Sequence, residues 1–93
     1  MYIERQKGYA LYNTRELAVI RTFDPGDQRV GKDNEYETYV IVGMEAVAHH
    51  AVVLYEASNK IKRDEAYAML RQAIKGKAEF FSFYDCDGLL EEN

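Results

Sequence analysis

Short runs broken by turn signals predict strands along the first part of the chain, with successive side chains on opposite faces. Residues 1–6 place Tyr2, Glu4 and Gln6 on one side and Ile3 and Arg5 on the other. Lys7-Gly8 breaks this run, because glycine accepts a positive φ, and residues 9–12 predict a second short strand. Asn13-Thr14-Arg15-Glu16 is then a turn, or alternatively a capped helical turn leading into Leu17. Residues 17–23 are rich in β-branched side chains (Val19, Ile20, Thr22) and predict a third strand.

Asp24-Pro25-Gly26-Asp27 is a strong turn, and the polar stretch runs on to Asn34. This longest loop is expected to be mobile, with a short hairpin at its tip. Residues 36–42 resume the alternation, with Tyr36, Thr38, Val40 and Val42 on one side and Glu37, Tyr39 and Ile41 on the other. Val40-Ile41-Val42 is apolar on both faces, so this strand is predicted to be central and covered on each side. A further apolar run, residues 51–55, follows a segment without good turn residues. It is either the second arm of a hairpin with an unusual connection or the continuation of one bulged strand.

One helix is clear, over residues 63–75. Ala66, Met69, Leu70, Ala73 and Ile74 recur at helical spacing and predict the buried stripe, with Leu70 and Ile74 facing a sheet. Asp64 and Glu65 fall in the first turn and Lys75 and Lys77 at the end, as the helix dipole favours. Gly76 is placed as the stop. Residues 78–84, with Phe80, Phe81 and Phe83, predict the last strand. The expected fold is α+β: an antiparallel sheet of five or six strands with one helix packed across one face. Residues 1–84 form the domain and residues 85–93 an acidic tail. Edge strands, the one from Tyr36 or the one from Ala78, are expected to pair two copies into a homodimer.

Composition narrows the function more by exclusion than by assignment. The 93 residues suit one domain, and 47% apolar residues suffice for a core. No apolar run approaches the ~20 residues of a membrane span, and the first residues lack the apolar region of a secretory leader. The lone Cys86 cannot form an internal disulfide and is expected to be a reduced thiol, which fits a cytoplasmic location. The net charge of −4 disfavours direct nucleic-acid binding.

No catalytic constellation assembles from the sequence. Neither Ser58 nor Ser82 sits in a nucleophile elbow, and the six glycines form no phosphate loop. Asp85-Cys86-Asp87-Gly88 fails the calcium-loop spacing, since Phe83 would fall at the first ligand position. His49 and His50 are adjacent and expected to be an exposed pair near a hairpin end. No metal and no cofactor are expected. Eight tyrosines and four phenylalanines with no tryptophan suggest either a packed small sheet or an aromatic surface for a partner. Charge is segregated. Acids crowd the long loop and the next strand, while Lys60, Lys62, Arg63, Arg71, Lys75 and Lys77 lie in the helix region. The candidate binding residues are therefore Asp24, Asp27, Asp33, Glu35, Tyr36, Glu37 and Tyr39, aimed at a basic protein surface. A small-ligand or nucleotide-sequestering oligomer with stacking aromatics is the alternative.

The layout also has a likeness. A Met-Tyr-Ile start, a Gly-turn hairpin, Tyr-Val-Ile-Val and Val-Val-Leu-Tyr strands, and Asp-Glu-Ala-Tyr-Ala-Met-Leu-Arg-Gln-Ala-Ile-Lys-Gly-Lys before an aromatic strand resemble a loose group of short proteins. These come from phages and mobile elements of Gram-positive bacteria. The segments 24–34, 45–49 and 85–93 depart from that pattern. The resemblance implies an accessory protein, often an inhibitor of a host factor, and assigns no site residue.

Overall fold

The computed structural model describes residues 1–8 and 10–86. In chain order the elements are β1 (Tyr2–Glu4), β2 (Leu11–Asn13), a 3-10 turn (Thr14–Glu16), β3 (Leu17–Phe23), β4 (Tyr39–Glu45), β5 (Ala51–Ala57), α1 (Lys60–Lys75) and β6 (Phe80–Ser82). The fold is α+β, but the expected single sheet is two sheets of three strands. One has the order β2-β1-β6, and the other is the antiparallel meander β3-β4-β5. The division falls at the 3-10 turn. Asn13 caps it by accepting from the Arg15 N–H at 3.1 Å, and Thr14 N–H donates to Met1 O at 3.0 Å. That turn ends the pairing with β1 and starts β3 in a new sheet. Because the chain reaches β6 only after crossing α1, β6 lies parallel to β1, with Ile3 opposite Phe81.

The two sheets are joined at a bulge. Along β4, Ile41 pairs with Tyr55 of β5 but Val42 pairs with Val53, so Leu54 is the extra residue in β5. Its carbonyl accepts from Gln6 N–H at 2.8 Å. The Gln6 side-chain amide completes the joint, donating to Glu56 O at 3.1 Å and accepting from Glu56 N–H at 2.9 Å. A side chain thus fills the place of a neighbouring strand. The bulge also turns the consecutive Leu54 and Tyr55 into the same core, which regular alternation forbids.

That main core holds Ile3, Ile41, Leu54, Tyr55, Ala66, Leu70, Phe83 and Cys86 between α1, the meander and β1. The opposite face of the meander carries a second core of Phe23, Tyr36, Val40 and Val42, with Val30 and Val53 packed against it. β4 therefore contributes Ile41 to one core and Val40 and Val42 to the other. It is the central strand its doubly apolar pattern predicts, and so it is not an edge at which two copies pair.

Three helix expectations are corrected. Helix α1 begins at Lys60, one turn early, because Asn59 caps it by accepting from Ile61 N–H at 2.7 Å. Asp64 and Glu65 therefore lie beyond the first turn. Leu70 is 1% exposed as predicted, but Ile74 is 49% exposed, because the buried stripe is Arg63, Ala66 and Leu70. Gly76 has φ −78°, and it is Lys77 at φ 56° that takes the left-handed position. Ala78 N–H donates to Ala73 O at 2.9 Å, so the helix stop sits one residue later than the glycine. Residues 83–86 form a helical turn that buries Cys86, whose Sγ is 3.4 Å from Met69 Sδ. The rest of the acidic tail, and Tyr9 at the start of the expected second strand, lie outside the described residues.

Candidate functional site

The 24–38 segment covers the second core, and its position is fixed from the helix. Arg63 stands on the buried stripe of α1 and is 3% exposed. Its Nη1 donates to the carbonyl of Phe23 at 2.6 Å, its Nη2 to Asp24 Oδ1 at 2.7 Å and its Nε to Asp64 Oδ1 at 2.7 Å. The guanidinium carbon also lies 5.4 Å from the centre of the Tyr39 ring. Burial disfavours the charge, but the hydrogen bonds to Asp24 and Asp64 outweigh it and raise the pKa above the ordinary arginine value. One side chain thus holds the end of β3, the start of the loop and the start of β4.

Beyond the clamp the segment is a hydrogen-bonded hairpin, tighter than the mobile loop expected from its polarity. Asp27 Oδ2 accepts from Asp24 N–H at 2.7 Å, closing the Pro25-Gly26 turn with Gly26 at φ 92°. Gly26 N–H donates to Tyr36 O and Tyr36 N–H to Asp27 O, each at 2.9 Å. Gln28 bridges Glu35, and Arg29 N–H donates to Asn34 O at 3.0 Å. The hairpin tip expected from the sequence is present at residues 30–33.

The candidate residues divide by role. Asp27, Asp33, Glu35 and Glu37 are exposed on this hairpin. Asp24 is half-buried against Arg63, and Tyr39 is half-buried beneath the same guanidinium. Tyr36 is 4% exposed, with its ring centre 5.0 Å from that of Phe23 and the Arg29 guanidinium 5.1 Å away. It supports the hairpin from beneath. The aromatic residues divide between core and surface. Phe23, Tyr36, Tyr55 and Phe83 are core, whereas Tyr2, Phe80 and Tyr84 are about half exposed.

His49 and His50 are exposed in the connection between β4 and β5, which is the hairpin with an unusual turn. His49 N–H donates to Glu45 O at 3.1 Å, and His49 takes φ 57°. Among the described residues no group of three or more His, Cys, Asp or Glu side chains is placed to hold a metal ion. No helix among them is long and apolar enough to cross a membrane. Comparison with protein-family models, with curated proteins and with solved structures gives no match. What the chain does must therefore be argued from its own surface.

Proposed function

We propose that the protein is a non-enzymatic binding protein that engages a basic protein surface through the 24–38 hairpin. In the setting that its sequence likeness implies, it is a cytoplasmic accessory protein of a phage or mobile element that blocks a host or defence protein. The observation that carries this reading is the pinning of an acidic hairpin by Arg63, Phe23 and Tyr36. A hairpin already fixed in place loses less conformational entropy on binding than a free loop. Its acids, Asp27, Asp33, Glu35 and Glu37, then form a negative field of fixed shape, which speeds encounter with a basic partner. Tyr39 and the aliphatic parts of the hairpin supply the contact area.

A homodimer belongs to the same proposal. Tyr2, Leu11 and Phe80 are 51%, 55% and 52% exposed on the three strands of the smaller sheet. β6 is an edge strand of that sheet, so two copies can pair along it, beside the exposed Phe80. The proposal is tested by affinity capture from the host, followed by association kinetics at several salt concentrations. Binding that is slow and indifferent to salt would reject it.

A further inference from the structure

The hairpin has a second, cationic side that the acidic surface does not use. Between its tip and the turn joining β4 to β5 lies a cleft of about 420 Å³. Arg29, Lys32, His49 and His50 line it, with Glu45 as the one acid among the lining residues. Val30, Val52 and Val53 supply apolar wall. The volume is within the usual range for a small-molecule pocket. The Nε of Arg29 is buried and has no hydrogen-bond partner among the described residues. A buried N–H of this kind is costly unless an acceptor is supplied. Neither Arg29 nor Lys32 has a carboxylate within ion-pair distance among the described residues, although acids outnumber bases in the chain.

We propose that this cleft binds a small organic phosphate monoester. The phosphate would sit among Arg29, Lys32 and the two histidines, and the organic part against Val30 and Val53. A guanidinium offers the planar fork that suits phosphate oxygens, and the lysine adds a point charge. Arg29 is held for this by its contact with the Tyr36 ring. Asp33 and Glu35 on the same hairpin repel an extended polyanion, so the site favours a small ligand over a nucleic-acid strand. The proposal is independent of the protein-binding reading, because it uses the opposite charge and other side chains.

Phenyl phosphate is the probe, titrated into the intact protein while backbone amide resonances are followed by NMR. Saturable shifts are expected at Gly31, Lys32, His49 and Ala51, with a Kd of roughly 0.1–1 mM. Lys32→Gln should weaken binding about five-fold, and Arg29→Gln by more, as charge-assisted hydrogen bonds are lost. Arg29 also packs on Tyr36, so the exposed Lys32 variant carries the test should the arginine variant unfold. Glu45→Gln should tighten binding about three-fold by removing the one carboxylate in the cleft lining. Replacing Asp33 and Glu35 by Asn and Gln should leave phenyl phosphate binding intact or stronger. Absence of saturation by ~20 mM, a Kd weaker than any useful ligand site, would overturn the proposal. Equal binding by the Lys32→Gln protein would overturn it as well.

Discussion

Replacing Arg63 by methionine keeps an unbranched stem in the helix stripe and deletes every donor of the clamp. The Phe23 carbonyl then loses its buried partner, which costs about 1–3 kcal/mol. The two carboxylate contacts are worth less, because Asp24 and Asp64 are 49% and 53% exposed and water screens them. Each contributes about 0–1 kcal/mol. The expected loss is therefore about 1–5 kcal/mol, a large share of the ~5–10 kcal/mol that stabilises a small domain. Urea unfolding followed by far-ultraviolet circular dichroism measures it, and Asp24→Asn provides the comparison. If the carbonyl dominates, Asp24→Asn alone costs under about 1 kcal/mol. The raised pKa adds a sign. The Arg63 charge contributes its stability below the unfolded-state pKa and loses it only as the pH rises through the higher folded value. Its contribution is thus constant across neutral pH. A loss below about 0.5 kcal/mol, or an Asp24→Asn cost equal to that of Arg63→Met, would refute the clamp.

Two further outcomes are expected. Leu70→Ala should cost about 2–5 kcal/mol in the same assay, because Leu70 is fully enclosed in the main core; Ile74→Ala, half exposed, should cost far less, and equal losses would mean the helix packs differently. Light scattering at low micromolar concentration should give the mass of a dimer, and Phe80→Ser should return the monomer; a wild-type protein that is monomeric throughout removes the dimer.

Much of this organisation was legible in the pattern of residues, and what was hidden has identifiable causes. The period-two alternation placed Tyr36 on the same side as Val40 and Val42, and these three are neighbours in the second core. β3 spans 17–23 and β5 starts at Ala51, as the runs rich in β-branched and apolar residues predicted. Alternation reports which face a residue occupies, though, and not which strand it pairs with. The split into two sheets rests on a capped 3-10 turn and on one glutamine side chain, and neither has a periodic signal. The Leu54 bulge is equally silent, since inserting one residue into an apolar run changes no count. Arg63 did carry a signal. It stands three residues before Ala66 and seven before Leu70, on the apolar stripe, where a charged residue must find buried partners. Read only as part of a basic helix surface, it left the acidic loop without an anchor. The cleft beside His49 and His50 was hidden for another reason. Its two walls lie about twenty residues apart in the chain and meet only because the hairpin folds back over the meander.

The most direct test of the proposed function is the association rate of the captured partner with two proteins, measured from low to high salt. One is the native chain and the other carries Asp27→Asn, Asp33→Asn and Glu35→Gln. Asparagine at position 27 keeps an oxygen to accept from Asp24 N–H, so the turn and the melt should survive the change. If the hairpin is the recognition surface, the native protein associates rapidly at low salt and slows steeply as salt rises. The variant should then associate at least ~10-fold more slowly at low salt, with a flatter dependence. Equal rates and equal salt slopes for the two proteins would contradict the proposal and move recognition away from the hairpin.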